Sequence, residues 1–273
     1  MANANPWALY DEMIDGVPQD VLVKDCALGI HWSYVEAECG MGVAYTTRQG
    51  ATFRKAQDLR GASLKDVAAL SKSWCFEEAS LGVAALNAWY CNPARLASNG
   101  FKTQYEGDLD ADESSPRFGK KLDAFHIYKP QIAAKGDANV VVVGHFPHAT
   151  DIDTYANLTI LERVIKDEWD TPDPACEYVM PAADYAFITG VTIMNKTVTR
   201  LLELSRDAHT IMVGPSVVMT PFLLQWGVHE LAGSVVADPE KARFAVANGA
   251  GPLFGEALVM ASLKGKGRTG AHG

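Results

Sequence analysis

His145 and His148 stand three positions apart in Gly144-His145-Phe146-Pro147-His148, directly after the run Val140–Val143. An imidazole changes charge near neutral pH, so His145 suits the role of general acid or base. Two histidines at this spacing can also share a transition-metal ion when a third donor joins them, and Glu162 and Cys176 are the candidates. Neither stands at a fixed offset in a known metal pattern. The reading is therefore a ligand-facing base at His145 and a surface residue at His148, with no residue assigned to a resident metal. No GxSxG elbow or other nucleophile motif accompanies them.

Other polar groups fall where strands end. Glu162 lies eighteen residues beyond Gly144, near the ~20-residue offset at which an acidic residue takes a ribose hydroxyl in nucleotide-binding folds. The first turn reads Gly-His-Phe-Pro where a dinucleotide fold has GxGxxG, so Phe146 and Pro147 fill the place where glycines admit a pyrophosphate. That argues against ordinary NAD binding and for a different nucleotide-like ligand. Thr189, Gly190, Thr192, Asn195 and Thr197 supply hydroxyls, an amide and a flexible turn suited to an anion, although each also suits a cap or turn. Gly214-Pro215-Ser216 and Asp238 complete the set. Asn87 lies near the apolar face of an earlier helix, as a structural bridge or as a contact to ligand.

The elements that must position these groups are legible as patterns. Val140–Gly144, Leu158–Glu162, Tyr185–Thr189, Thr210–Gly214 and Leu231–Val236 read as strands separated by helix-length segments, which predicts a mostly parallel sheet. In such a sheet ligands lie outside the carboxyl ends of the strands, where His145, Glu162, Thr189, Gly214 and Asp238 would meet. Thr220-Pro221 and Asp238-Pro239 mark helix starts. Earlier, Asn5-Pro6 opens a short amphipathic helix, Ala27–Thr47 reads as a hairpin, Ser63–Asp66 as a capping box, and 76–91 as a helix. On that helix Gly82, Ala84 and Ala85 would admit a close backbone. The organisation expected is an α+β domain over 1–106, an acidic polar linker over 107–122, an α/β domain over 123–264 and a flexible tail over 265–273. Asp108, Asp110, Asp112 and Glu113 fall in the linker but lack the glycine and terminal glutamate of a calcium loop.

Composition limits the partners. The net charge of −9 over 273 residues disfavours nucleic acid. No apolar run approaches the ~20 residues a membrane span requires. Five cysteines without a CxxC pair suggest reduced thiols, and the absence of a basic-then-apolar leader points to the cytoplasm. A small-molecule ligand is the expected partner, with a homodimer as the commonest assembly of soluble enzymes.

Several phrases together carry a family resemblance: Gly144-His-Phe-Pro147, Leu158-Thr-Ile-Leu-Glu-Arg163, Pro181-Ala-Ala-Asp184, Ile188-Thr-Gly-Val-Thr-Ile-Met-Asn-Lys-Thr197 and Gly214-Pro-Ser216. With Gly29-Ile-His-Trp32, Gly40-Met-Gly-Val-Ala-Tyr45 and Ala84-Ala-Leu-Asn-Ala88, the chain resembles the putative heavy-metal chelation family over nearly its whole length. The resemblance implies an enolase-N-terminal-like α+β domain followed by a Rossmann-like domain, with an interdomain active site. It implies His145 and Asn87 as catalytic candidates. The function implied is condensation or hydrolysis of a small heteroaromatic or nucleotide-like molecule, in the synthesis or processing of a metal chelator. The alternative is a non-catalytic metal-binding or metal-delivery protein. The cofactor expectation stands between a transition metal and a nucleotide-like ligand.

Overall fold

Successive side chains of a strand point to opposite faces, so four consecutive valines require an apolar layer on each side. The structure, a computed structural model, supplies both. It describes residues 5–52, 58–103, 123–147, 149–249, 253 and 257–265. The acidic stretch 107–122, His148 and residues 266–273 lie outside them.

Helix α1 (Ala8–Asp15) leads into an antiparallel sheet of β1 (Val23–Leu28), β2 (Trp32–Ala37) and β3 (Gly40–Tyr45), followed by α2 (Leu64–Ala68), α3 (Phe76–Tyr90) and α4 (Pro93–Ser98). The hairpin expected over 27–47 is thus the second half of a three-stranded meander. Gly29–His31 form an additional turn, and Ile30 sits on it exposed. Close packing explains the small residues of α3. A Cβ on Gly42 of β3 would lie 2.1 Å from Ala88 N and 2.3 Å from Ala84 O, and one on Gly82 would lie 2.0 Å from Ser71 N. The Ser63 capping box does not form. The Ser63 hydroxyl makes no cap bond and is buried without a hydrogen bond, while the Leu64 N–H donates to Val21 O at 2.7 Å. Helix α1 begins later than expected, because Asn5 Oδ1 accepts from the Trp7 N–H in a preceding turn.

After β4 (Lys102–Thr103) and α5 (Ala124–Lys135) come β5 (Asn139–Val143), β6 (Asn157–Glu162), β7 (Asp170–Pro172), α6 (Cys176–Val179) and β8 (Tyr185–Thr189). The chain continues through α7 (Val191–Met194), α8 (Val198–Leu204), β9 (His209–Val213), α9 (Phe222–Gln225), β10 (Glu230–Val236), α10 (Pro239–Ala247) and β11 (Leu258–Lys264). These strands form one sheet in the order β4-β11-β10-β9-β8-β5-β6-β7. The six strands from β10 to β7 run parallel, while β11 pairs antiparallel with β10 and β4 antiparallel with β11. All five expected strands are present within a residue of their predicted ends. The edge strands β4 and β7, and β11 beside β4, were not anticipated.

Val140 and Val142 pack with Tyr128 and Ile132 of α5, while Val141 and Val143 join the cluster holding Ile193, Val198 and Leu201. That second cluster continues without a break into Leu9, Met13, Val35, Ala79 and Leu86 of the antiparallel unit. The two sheets therefore share a core. Because β5 is flanked by β6 on one side and β8 on the other, the chain reverses its direction of progress there, which opens a crevice at the carboxyl end of β5. No helix of the described residues is long and apolar enough to cross a membrane.

Candidate metal centre

Gly144 ends β5 with a φ of +102°, a conformation that favours glycine. Its N–H still bonds Leu161 O at 3.0 Å, which holds β5 to β6 up to the turn. His145 follows at the carboxyl edge, with its side chain about a third exposed.

The loop between β6 and β7 brings two aspartates to this imidazole. Asp170 Oδ2 accepts from the Lys166 N–H at 2.7 Å and the Asp167 N–H at 3.4 Å, while its Oδ1 faces His145 Nδ1 at 3.3 Å. Asp167 divides its oxygens in the same way. Its Oδ1 accepts from the Trp169 N–H at 3.0 Å and its Oδ2 lies 3.6 Å from His145 Nε2. Each carboxylate thus spends one oxygen on shaping the loop and presents the other to the histidine. Arg163 Nε, donating to Asp173 Oδ2 at 2.9 Å, ties the start of the loop to the residue that follows β7.

Burial separates the two aspartates. The Asp170 side chain is 0% exposed and its Oδ1 forms no hydrogen bond, whereas that of Asp167 is 42% exposed. Burial works to raise the Asp170 pKa, but the N–H groups of Lys166 and Asp167 and the His145 imidazole outweigh it, so the carboxyl stays below its ordinary range. Glu162, at the end of β6, interacts electrostatically with His145 and Asp170. Burial pushes its carboxyl above the ordinary range despite the nearby Lys166 charge. A carboxylate and a partly buried acid thus flank one imidazole.

Among the described residues, His145, Asp167 and Asp170 are the group of His, Cys, Asp or Glu whose ligand atoms converge, all within 4.8 Å of one another. Donors around an ion of 2.0–2.2 Å bond length stand about 3 Å apart when adjacent and about 4 Å when opposite. One nitrogen and two carboxylate oxygens suit first-row divalent ions. The buried Asp170 Oδ1, which makes no hydrogen bond and faces His145 Nδ1 at 3.3 Å, is the observation that fits a bound cation.

The other predicted residues fall into two groups. Gly144, Phe146, Thr189 and Gly214 surround the histidine turn: a Cβ on Gly144 would lie 3.0 Å from Thr189 Cγ2, and one on Gly214 3.4 Å from Phe146 Cε1. Phe146 therefore bridges the turns after β5 and β9, and Pro147 continues its turn exposed. The second group is engaged where the two sheets meet or within local turns. Asn87 Nδ2 donates to Val43 O at 2.9 Å and Pro215 O at 3.3 Å, and Ser216 Oγ accepts from the Tyr45 N–H at 2.8 Å. Gly190 lies so close to the Ser216–Val217 backbone that a Cβ would come within 2.3 Å. Thr192 Oγ1 donates to Thr189 O at 2.7 Å, and Asn195 Oδ1 accepts from the N–H and hydroxyl of Thr197. Asp238 caps α10 by accepting from the Lys241 N–H at 3.0 Å. It follows β10, three strands from β5, roughly 14 Å across the sheet.

Sequence reasoning did not single out Asp167 or Asp170. The available signal was an aspartate pair three residues apart, five and eight positions after Glu162, at which a predicted strand ends. Cys176 does not join the cluster.

Two family models, both described as putative heavy-metal chelation, match the chain over residues 129–260 and 10–90. A crystal structure of a protein of unknown function from the first of these families, from Desulfitobacterium hafniense, superposes with a TM-score of 0.80 at 32% identity, covering 95% of this chain and 98% of that one. A second, from Pyrococcus horikoshii, shares the fold with a TM-score of 0.72 at 19% identity, covering 96% and 100%. An uncharacterized protein of Methanocaldococcus jannaschii is 27% identical over 241 residues, 82% of each chain.

Proposed function

The chain belongs to the family described as putative heavy-metal chelation, and from that premise we propose that His145, Asp167 and Asp170 hold a divalent transition-metal ion at the carboxyl edge of the large sheet. The observation that carries the reading is Asp170 Oδ1: a fully buried oxygen of a carboxylate that favours ionisation, without a hydrogen bond, directed at His145. Burying a charged oxygen whose one contact is an imidazole at 3.3 Å is costly, and a cation shared with that imidazole offsets the cost. The backbone N–H groups on Oδ2 reserve Oδ1 for the ion and make Asp170 a one-oxygen ligand.

Three protein donors leave coordination positions open, as in sites that admit a further ligand. When bound, the ion would supply Lewis acidity toward that ligand. Thr189 and the Phe146 ring adjoin the histidine turn, a surface suited to a small planar molecule with oxygen or nitrogen donors. This supports an enzyme acting by condensation or hydrolysis on a heteroaromatic or nucleotide-like compound, in the synthesis or processing of a metal chelator, with His145 and Glu162 placed to hold or move protons when no metal engages them. Metal delivery without turnover is the second reading, favoured by the partial exposure of His145 and Asp167.

Metal analysis of protein purified without a histidine tag tests the shared part of both readings. One equivalent of a transition metal is expected. Asp170→Ala should weaken its binding by more than the ~10–100-fold typical of outer-shell partners, and equal binding by that variant would sink the proposal. Thermal stability with a panel of pterins, flavins and nucleotides, with and without metal, then separates the readings. A metal-dependent rise with one compound supports the enzyme, and a rise with metal alone supports delivery.

A further inference from the structure

We infer that this centre selects a divalent first-row ion, bound through nitrogen and oxygen alone, and that none of the five thiols takes part, so thiophilic heavy metals are not its cargo. The inference rests on the metal reading above and deepens it by naming the class of ion. Donor hardness is the physical basis. Carboxylate and imidazole suit ions from manganese to zinc, whereas monovalent copper, mercury and their like are chosen by thiolate or thioether sulfur.

The cysteines are all placed elsewhere. Cys39 Sγ donates to Ala88 O at 3.3 Å, Cys75 Sγ to Glu77 Oε2 at 3.4 Å and Cys91 Sγ to Asn87 Oδ1 at 3.6 Å. Cys26 lies on β1 of the antiparallel unit, and Cys176 opens α6 without joining the ligand cluster. No group among the described residues brings a sulfur together with two further His, Cys, Asp or Glu donors. Burial also pushes every one of the five thiols above its ordinary range, Cys91 up to about 12. The thiolate is the form that ligates metal, and each of these environments opposes it.

The test uses the intact, tag-free protein stripped of metal, with Co2+ and Cd2+ as probes. Co2+ binding is followed by its visible spectrum and by thiolate-to-metal charge transfer in the near ultraviolet, and the donors around Cd2+ by cadmium NMR. His145→Ala and Asp170→Asn identify the site, with circular dichroism confirming that both variants fold. One equivalent of Co2+ is expected, with Cd2+ serving only as a probe of donor type and held at least tenfold more weakly than Co2+; both are lost in both variants, with no charge-transfer band and with a cadmium shift in the oxygen and nitrogen range. Affinity should rise at least tenfold from Mn2+ to Ni2+ at this site, following the ordinary order for such donors. A thiolate band or a sulfur-range cadmium shift that disappears in His145→Ala overturns the selection while leaving the metal reading standing. Binding that neither variant changes overturns both.

Discussion

Asp170 and His209 show how the same force, burial, serves opposite purposes in one sheet. At Asp170 it is outweighed by two N–H donors and an imidazole, so the carboxylate is kept charged and ready for a cation. Metal binding should therefore weaken as the pH falls, because protons compete with the ion for the imidazole and carboxylates. Equilibrium dialysis across a pH series checks this, and a flat profile would contradict it. At His209, on the opposite edge of the sheet, burial pushes the imidazole down to about 4, assisted by His229 and Lys264, while its Nε2 lies 3.1 Å from the Tyr128 hydroxyl. The unfolded chain binds this proton near pH 6.5. Since the folded value is the lower one, the native state is not penalised above about 6.5, and stability is lost as the pH falls from there through about 4. Urea midpoints should drop over that interval, and His209→Gln should flatten the drop. An equal slope in the variant would assign the acid sensitivity to other groups.

Close backbone approach, more than side-chain chemistry, decides the elements. Gly42 is the clearest case: β3 lies so near α3 that any Cβ meets main-chain atoms that cannot rotate away. Gly42→Ala should cost about 3 kcal/mol or more, the upper end of overpacking effects, measured by denaturant unfolding. A change below 1 kcal/mol would mean that the helix slides readily on the sheet. The β6–β7 loop is organised differently, by N–H groups converging on two aspartates, and its strand β7 has only three residues. Such a short strand has no periodicity to read. For that reason the sequence pattern located His145 and Glu162 at strand ends but passed over Asp167 and Asp170, which belong to a loop whose course depends on pairing with β6.

At the scale of the whole molecule, the antiparallel unit and the large sheet are tied by buried and partly buried polar contacts as well as by a continuous core. Tyr10 donates its hydroxyl to Ile193 O at 2.7 Å, Asn87 reaches Pro215 O, Trp226 Nε1 donates to Glu12 Oε2 at 2.7 Å, and the Lys196 ammonium donates to the carbonyls of Ser73 and Met194. Burial lowers the Lys196 pKa to about 8, and its backbone lies at a φ of +67°. Contacts of this kind make independent unfolding of either unit costly. Denaturation followed by tryptophan fluorescence and by circular dichroism should give coincident single transitions. Asn87→Ala, which leaves the buried Val43 carbonyl and the partly buried Pro215 carbonyl each with one donor fewer, should lower stability by about 1–3 kcal/mol and shift both probes together. Two separated transitions would show that the shared core does not couple the units.

The sequence by itself determined the parallel strands, their carboxyl-edge turns and the place of His145, because hydrophobic runs ending in glycine are local signals that survive without tertiary context. It also carried the small-residue face of α3 and the capped start of α10. Tertiary structure alone decided which polar groups share a site. Thr192, Asn195, Ser216 and Asn87 have hydrogen-bond partners within the protein, while two aspartates from a short irregular loop converge on His145. The reason is physical: a polar side chain has many local partners available, and only the packed arrangement of strands settles which of its oxygens is left without one.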